Sequence, residues 1–127
     1  IMPSLVGSEM CIRDSYEEIH RRSPAAKVLA TGYLPLIKRG ETCPYIEKIP
    51  ASDREWLARS IERINQAVRE AAERNGAIYV LADAALDHTA CSPSPWVDFT
   101  GQETNSFPMH PTHAGQRAMA DALRAAL

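Results

Sequence analysis

The tightest constraint in this sequence is one long amphipathic stretch set between two short apolar runs. Leu57, Ile61, Ile64, Val68 and Ala71 recur at helical spacing and make a single apolar stripe. Ser52-x-x-Glu55 reads as a capping box opening that helix, and Asn75-Gly76 reads as its end, because both residues tolerate left-handed geometry. Residues 27–33 (KVLATGY) precede it and residues 77–82 (AIYVLA) follow it. Both runs are short, β-rich and flanked by turn residues, as strands buried in a parallel sheet are. Strand, crossover helix and strand form a βαβ unit, so the fold class is α/β with a parallel sheet and a right-handed crossover.

The rest of the chain arranges itself around that unit. Residues 16–22 read as the tail of a helix stopped by Ser23-Pro24. Residues 35–51 carry Pro35, Gly40, Pro44 and Pro50 and read as a long irregular loop containing Cys43. Residues 83–109 form a second long connection after the carboxyl end of the second strand, where open α/β sheets place their ligand sites. A last helix starts near Pro111, with the proline at a first-turn position and Met119, Leu123 and Leu127 as its buried stripe. Trp56 reads as core at the start of the long helix, and Trp96 as a packing anchor beneath the second loop or the border of a pocket.

Composition excludes several classes of function. The 127 residues supply one domain at most, and no apolar run approaches the ~20 residues of a membrane-spanning helix. A net charge of -2 and 6% aromatics offer neither a basic footprint nor a stacking surface for nucleic acid. Cys11, Cys43 and Cys91 form no CxxC pair, so a structural zinc site lacks its usual spacing. His88, Cys91, His110 and His113 are scattered over two loops and a helix, a poor set of metal ligands.

Residues 1–15 (IMPSLVGSEMCIRDS) show no helical or strand period and lack the parts of a secretory signal. The stretch resembles the read-through translation of a transposon-type sequencing adapter. It is therefore expected to be a disordered artefact, with residues 16–127 the C-terminal part of a longer domain. Cys43 and Cys91 then remain as an even pair.

The chemistry concentrates at Phe107-Pro108-Met109-His110-Pro111-Thr112-His113-Ala114-Gly115. A histidine there joins an active-face loop to a helix start, whose partial positive charge favours the neutral imidazole that a general base must be. From these residues alone, a structural histidine that merely caps a helix remains open, and with it a non-catalytic α/β module that binds a carbohydrate or protein partner.

His110-Pro111-Thr112-x-x-Gly115 resembles the final motif of the SGNH hydrolases, also called the GDSL esterase/lipase family, in particular their secreted actinobacterial esterase-like branch. The ordered series of residues 32–36, Cys43, residues 53–57, 76–80, 88–91 and 95–97 is similar to that branch as well. The resemblance implies the C-terminal half of a flavodoxin-like three-layer α/β/α SGNH hydrolase domain. It implies a serine esterase or lipase that cleaves acyl or lipid esters through an acyl-enzyme, with His110 as the base. The backbone carbonyl of Phe107 or Pro108 would orient His110, because the position where many relatives carry Asp is Phe107 here. Asp98 and Glu103 are weaker candidates. The resemblance further implies a Cys43–Cys91 disulfide, a secreted and extracellular location, and neither metal nor organic cofactor. The expected partner is a small-molecule or lipid ester substrate, with no nucleic acid and no transmembrane segment, and the protein is expected to be a monomer. No Gly-Asp-Ser or Gly-x-Asn-Asp block occurs in the chain, so the serine nucleophile is expected to lie upstream.

Overall fold

A computed structural model describes the chain from residue 3 to residue 127, leaving Ile1 and Met2 outside the described residues. Helix α1 covers Pro3–Arg22, strand β1 Leu29–Thr31, helix α2 Ala51–Arg74 and strand β2 Ile78–Val80. A single 3-10 turn at Ala85–Asp87, the short strands β3 (Val97–Asp98) and β4 (His110–Pro111) and helix α3 (His113–Ala125) complete it.

The βαβ unit forms as its two periodicities require. β1 and β2 are parallel, with Leu29 opposite Ile78, Ala30 opposite Tyr79 and Thr31 opposite Val80. Main-chain bonds from Ile78 to Val28 and from Gly32 to Val80, each 2.9 Å, extend the ladder beyond both ends. Side chains alternate across a strand, so Ala30 and Tyr79 share one face. There they pack with Ala71 and Ala72 of α2 and with Tyr16 of α1. Thr31 and Val80 face the other way, and α3 packs against β2. Helices therefore cover the parallel sheet on two sides, the layering that a three-layer α/β fold needs.

Several local expectations change. Residues 1–15 are expected to be disordered, yet α1 begins at Pro3 and continues past residue 15. Beyond Gly7 the segment holds no helix breaker, and Ile12 and Tyr16, one turn apart, pack on the end of α2 and the sheet. The Ser52–Glu55 capping box does not form. Pro50 stands at the N-cap, α2 starts at Ala51, Ser52 Oγ bonds Asp53 at 3.1 Å and Glu55 pairs with Arg39 at 2.8 Å. Pro50 has a fixed φ and lets the helix begin two residues earlier, which leaves Ser52 inside the first turn. Trp56 is 64% exposed instead of core, and the residues of α2 that are fully covered are Ala58, Ala71 and Ala72. Small side chains let the helix lie close on its neighbours, and this close seat leaves Trp56 on the outer side. Pro111 belongs to β4 instead of the first turn of α3, and Leu127 lies exposed past the end of α3.

The long loop after β1 is not loose. Ile37 and fully buried Ile46 form a small core with Ala58 of α2, and Cys43, Cys91 and Phe99 pack against it. Arg54 donates to the carbonyls of Ile46 and Ile49 at 3.1 and 2.8 Å, and Thr89 Oγ1 donates to Glu41 at 2.8 Å. Cys43 and Cys91, 48 positions apart, are joined in a disulfide, while Cys11 is free and exposed. The bond ties the two loops that follow the carboxyl ends of β1 and β2.

A closed loop of that length is worth about 4 kcal/mol in the chain-entropy account. The Cys43→Ser, Cys91→Ser double variant is expected to lose about 2–4 kcal/mol of unfolding free energy, measured by urea denaturation without reductant. Dithiothreitol is expected to reduce the parent chain to the same stability and to leave the double variant unchanged.

Candidate active site

His110 stands at the end of the second long connection, and the backbone on both sides of it is fixed. β3 and β4 pair antiparallel, with Val97 opposite Pro111 and Asp98 opposite His110. The Met109 N–H donates to the Asp98 carbonyl at 2.7 Å, and the Thr112 N–H to the Trp96 carbonyl at 2.8 Å. Met109 sits at φ 61°, in the left-handed region that a methionine seldom adopts. That turn brings the Pro108 carbonyl within 2.8 Å of His110 Nδ1, while the Phe107 carbonyl accepts the His110 main-chain N–H at 3.1 Å.

A carbonyl oxygen can only accept, so His110 Nδ1 carries a proton, and in the neutral ring Nε2 holds the free lone pair. Among the described residues no protein group bonds Nε2. The side chain is exposed, with the Phe107 ring edge-on to it at 5.8 Å. It lines an open cavity of about 800 Å³ together with Gly32, Tyr33 and Leu34, which follow the carboxyl end of β1, and with Met119 and Leu123 of α3. The imidazole is thus open at the carboxyl edge of the parallel sheet, with its basic nitrogen unclaimed.

Neither carboxylate considered from the sequence touches this ring. Asp98, 9% exposed, turns its side chain back into its own loop. It accepts from the Thr100 N–H at 3.0 Å and from Thr104 Oγ1 at 2.8 Å. Burial pushes the Asp98 carboxyl upward, but hydrogen bonds from the Thr104 hydroxyl and from the Thr100, Gly101 and Thr104 main chain outweigh it and hold the group below the ordinary aspartate range. Glu103 is exposed and accepts from the Tyr45 hydroxyl, beside the disulfide-linked loops.

His110 is not a helix cap. Thr112 caps α3, its hydroxyl accepting from the Gly115 N–H at 3.1 Å. His113 is exposed at the first position of α3. Trp96 stacks on His88 with ring centres 4.1 Å apart and planes 9° apart, and it borders a different cavity from the one His110 lines. His88 Nδ1 lies 2.8 Å from the Ser94 carbonyl and 3.2 Å from Ser94 Oγ. The carbonyl bond again puts the proton on Nδ1, so this nitrogen takes no proton from Ser94. Among the described residues no cluster of three or more His, Cys, Asp or Glu is placed to hold a metal ion, and no helix is long and apolar enough to cross a membrane.

Sequence reasoning missed two supports. Thr112 is buried beneath the helix start, and its residue type directly before a helical run is an ordinary N-cap signal. Asp98 organises its loop, and Asp98-x-Thr100-Gly101 is a turn pattern that could have been read for that role.

The chain resembles known proteins in sequence and in fold. The GDSL-like lipase/acylhydrolase family model matches residues 4–118. Lipase 2 of Streptomyces coelicolor is 33% identical over 116 residues, which cover 87% of this chain and 39% of that protein. The solved extracellular lipase of Streptomyces rimosus superposes with a TM-score of 0.79 at 24% identity, over 94% of this chain and 50% of that one. The phospholipase A1 of Streptomyces albidoflavus gives 0.74 at 24% identity, over 92% and 50%. The chain therefore spans half the length of these solved relatives, and its α/β fold is theirs.

Because the folded carboxyl of Asp98 titrates below its unfolded value, the stability it contributes is fully present above pH ~4 and is lost as pH falls through the folded value. Asp98→Asn is expected to flatten that acid limb in thermal unfolding curves taken from pH 5 downward. At neutral pH the same variant is expected to cost about 1.5–3 kcal/mol, the worth of hydrogen bonds to a charged group.

Proposed function

This chain belongs to the GDSL-like lipase/acylhydrolase family, and from that premise we propose that it is the C-terminal part of a secreted serine esterase that cleaves acyl or lipid esters, with His110 as general base. The observation that carries the reading is the 2.8 Å contact between His110 Nδ1 and the Pro108 carbonyl. It leaves Nε2 as a free acceptor at an open sheet edge, and a base needs both properties before it can take a proton from a hydroxyl.

The chemistry then runs in two halves. A serine hydroxyl outside these residues attacks the ester carbonyl while His110 Nε2 takes its proton. The imidazolium returns that proton to the departing alcohol, leaving an acyl-serine. Water attacks the acyl-serine next, and His110 accepts and returns a proton in the same way. Through both halves the Nδ1–H stays on the Pro108 carbonyl, which keeps the ring in one tautomer and one orientation without a buried negative charge.

The disulfide supports an oxidising, extracellular compartment. The resemblance to an extracellular lipase supports the same placement. No step calls for a metal or an organic cofactor.

Two proteins test the proposal. The 127 residues alone are expected to show no turnover of a p-nitrophenyl ester. A hybrid joining them to the part of Streptomyces coelicolor Lipase 2 that this chain does not match is expected to hydrolyse it. His110→Ala in that hybrid is expected to lower kcat/KM by about 10²–10⁴-fold with an unchanged circular dichroism spectrum. Undiminished turnover in the alanine hybrid overturns His110 as base. Turnover by the 127 residues alone that His110→Ala abolishes overturns the external serine.

A further inference from the structure

The segment at residues 95–98 grips residues 109–112 at nearly every position, and one side chain takes part in that grip. Thr112 is 2% exposed. Its hydroxyl donates to the Pro95 carbonyl at 2.9 Å and accepts from the Gly115 N–H at 3.1 Å, while its main-chain N–H donates to the Trp96 carbonyl at 2.8 Å. The contact is close enough to restrict the neighbouring residue. A Cβ placed on Gly115 would lie 2.2 Å from the Trp96 carbonyl oxygen, so only glycine lets the helix start sit there. The supporting loop is itself held. The Trp96 N–H donates to the His88 carbonyl at 2.8 Å, the two rings stack, and His88 Nδ1 closes the turn on Ser94.

His110 lies two residues before Thr112, and its ring is aimed by a carbonyl only two residues before itself. That aim holds only if the backbone from Pro108 to Thr112 cannot rotate. On the upstream side the Met109 N–H to Asp98 bond fixes it, and on the downstream side Thr112 does. We propose that Thr112 is a positioning residue for His110: its hydroxyl, bridging the Pro95 carbonyl and the Gly115 amide, holds the imidazole in the tautomer that leaves Nε2 free.

This inference rests on the reading of His110 given above, but its test does not depend on turnover. Long-range ¹H–¹⁵N correlation spectra of the ¹⁵N-labelled 127-residue chain distinguish the Nδ1–H from the Nε2–H form of each histidine. The parent chain is expected to show His110 as Nδ1–H. Thr112→Val keeps the shape and removes both side-chain bonds. It is expected to shift the ratio of the two forms toward Nε2–H by about fivefold, the equilibrium worth of one ordinary hydrogen bond. Thr112→Ser is expected to restore the parent ratio. His20, whose Nδ1 lies 2.9 Å from the Tyr16 carbonyl on α1, is the control that a general loosening of the fold would also move.

A folded Thr112→Val chain with the parent ratio at His110 overturns the clamp and leaves the base assignment standing. A Thr112→Ser chain as perturbed as the valine chain also overturns it. A parent chain already in the Nε2–H form overturns both readings. If the valine chain fails to fold, Thr112→Cys, which lacks the methyl and offers only a weak donor in place of the hydroxyl, is read in its place, and the parent ratio there again overturns the proposal.

Discussion

The antiparallel pairing of Val97–Asp98 with His110–Pro111 is the interaction on which the rest of the site depends. Two residues on each side are a very short ladder, and a two-stranded ribbon is marginal in water by itself. Here it is flanked by the Met109 and Thr112 amide bonds and backed by Val97, which packs with Leu34, Leu36, Ala85 and Ala90. Burial of that apolar cluster supplies what the ladder lacks. Without the pairing, the connection at residues 99–109 would have unanchored ends, and His110 would have no fixed relation to the carboxyl edge of β1.

The same logic explains how two loops, where α/β folds usually place their sites, are held firmly enough to carry one. The loop at residues 35–51 brings its own apolar side chains, Ile37 and Ile46, down onto Ala58, and the disulfide sits beside them. Thr89 and Glu41 add a bond between the two loops near the cystine. Covalent and apolar restraints thus act on the same pair of connections, and the segment carrying Pro95 and Trp96 leaves the second of them only a few residues after Cys91. The restraint reaches His110 through main-chain carbonyls and not through a charged side chain.

How much of this could be read from the sequence follows from what each signal measures. Hydrophobic period found β1, α2 and β2, because a sheet buried on both sides and a one-sided helix leave different repeats, and Asn75-Gly76 ended the helix with Asn75 at the C-cap and Gly76 at φ 70°. Period does not report how closely elements approach. Ala58, Ala71 and Ala72 are the covered residues of α2, while the larger Trp56 and Ile64 of the same helix are exposed. Cap signals failed where two residues competed for one position, as with Pro50 and Ser52 at α2 and with Pro111 and Thr112 at α3. The motif around His110 pointed to a carbonyl at Phe107 or Pro108, and the two divide the work: Phe107 holds the main chain and Pro108 faces the ring. The positive φ of Met109 that separates those roles leaves no mark in the residue type, since nothing about methionine favours it.

That left-handed Met109 shows how the loop balances strain against order. A non-glycine residue in this region costs about 1–2 kcal/mol. An ordinary hydrogen bond returns about 0.5–1.5 kcal/mol net, and three of them converge on this turn: Met109 to Asp98, His110 to Phe107, and the His110 ring to Pro108. Together they outweigh the strain, so the turn is held by the three bonds acting jointly. Loss of the ring bond alone would leave two main-chain bonds, about 1–3 kcal/mol, against that strain and so narrow the margin. Ring orientation and backbone conformation are therefore one coupled state. The carbonyl that orients the ring lies within the same short turn as the ring itself, so the pair moves as a unit. A distant carboxylate would have to be positioned separately and desolvated in its ionised form, at a cost of several kcal/mol before any gain in orientation.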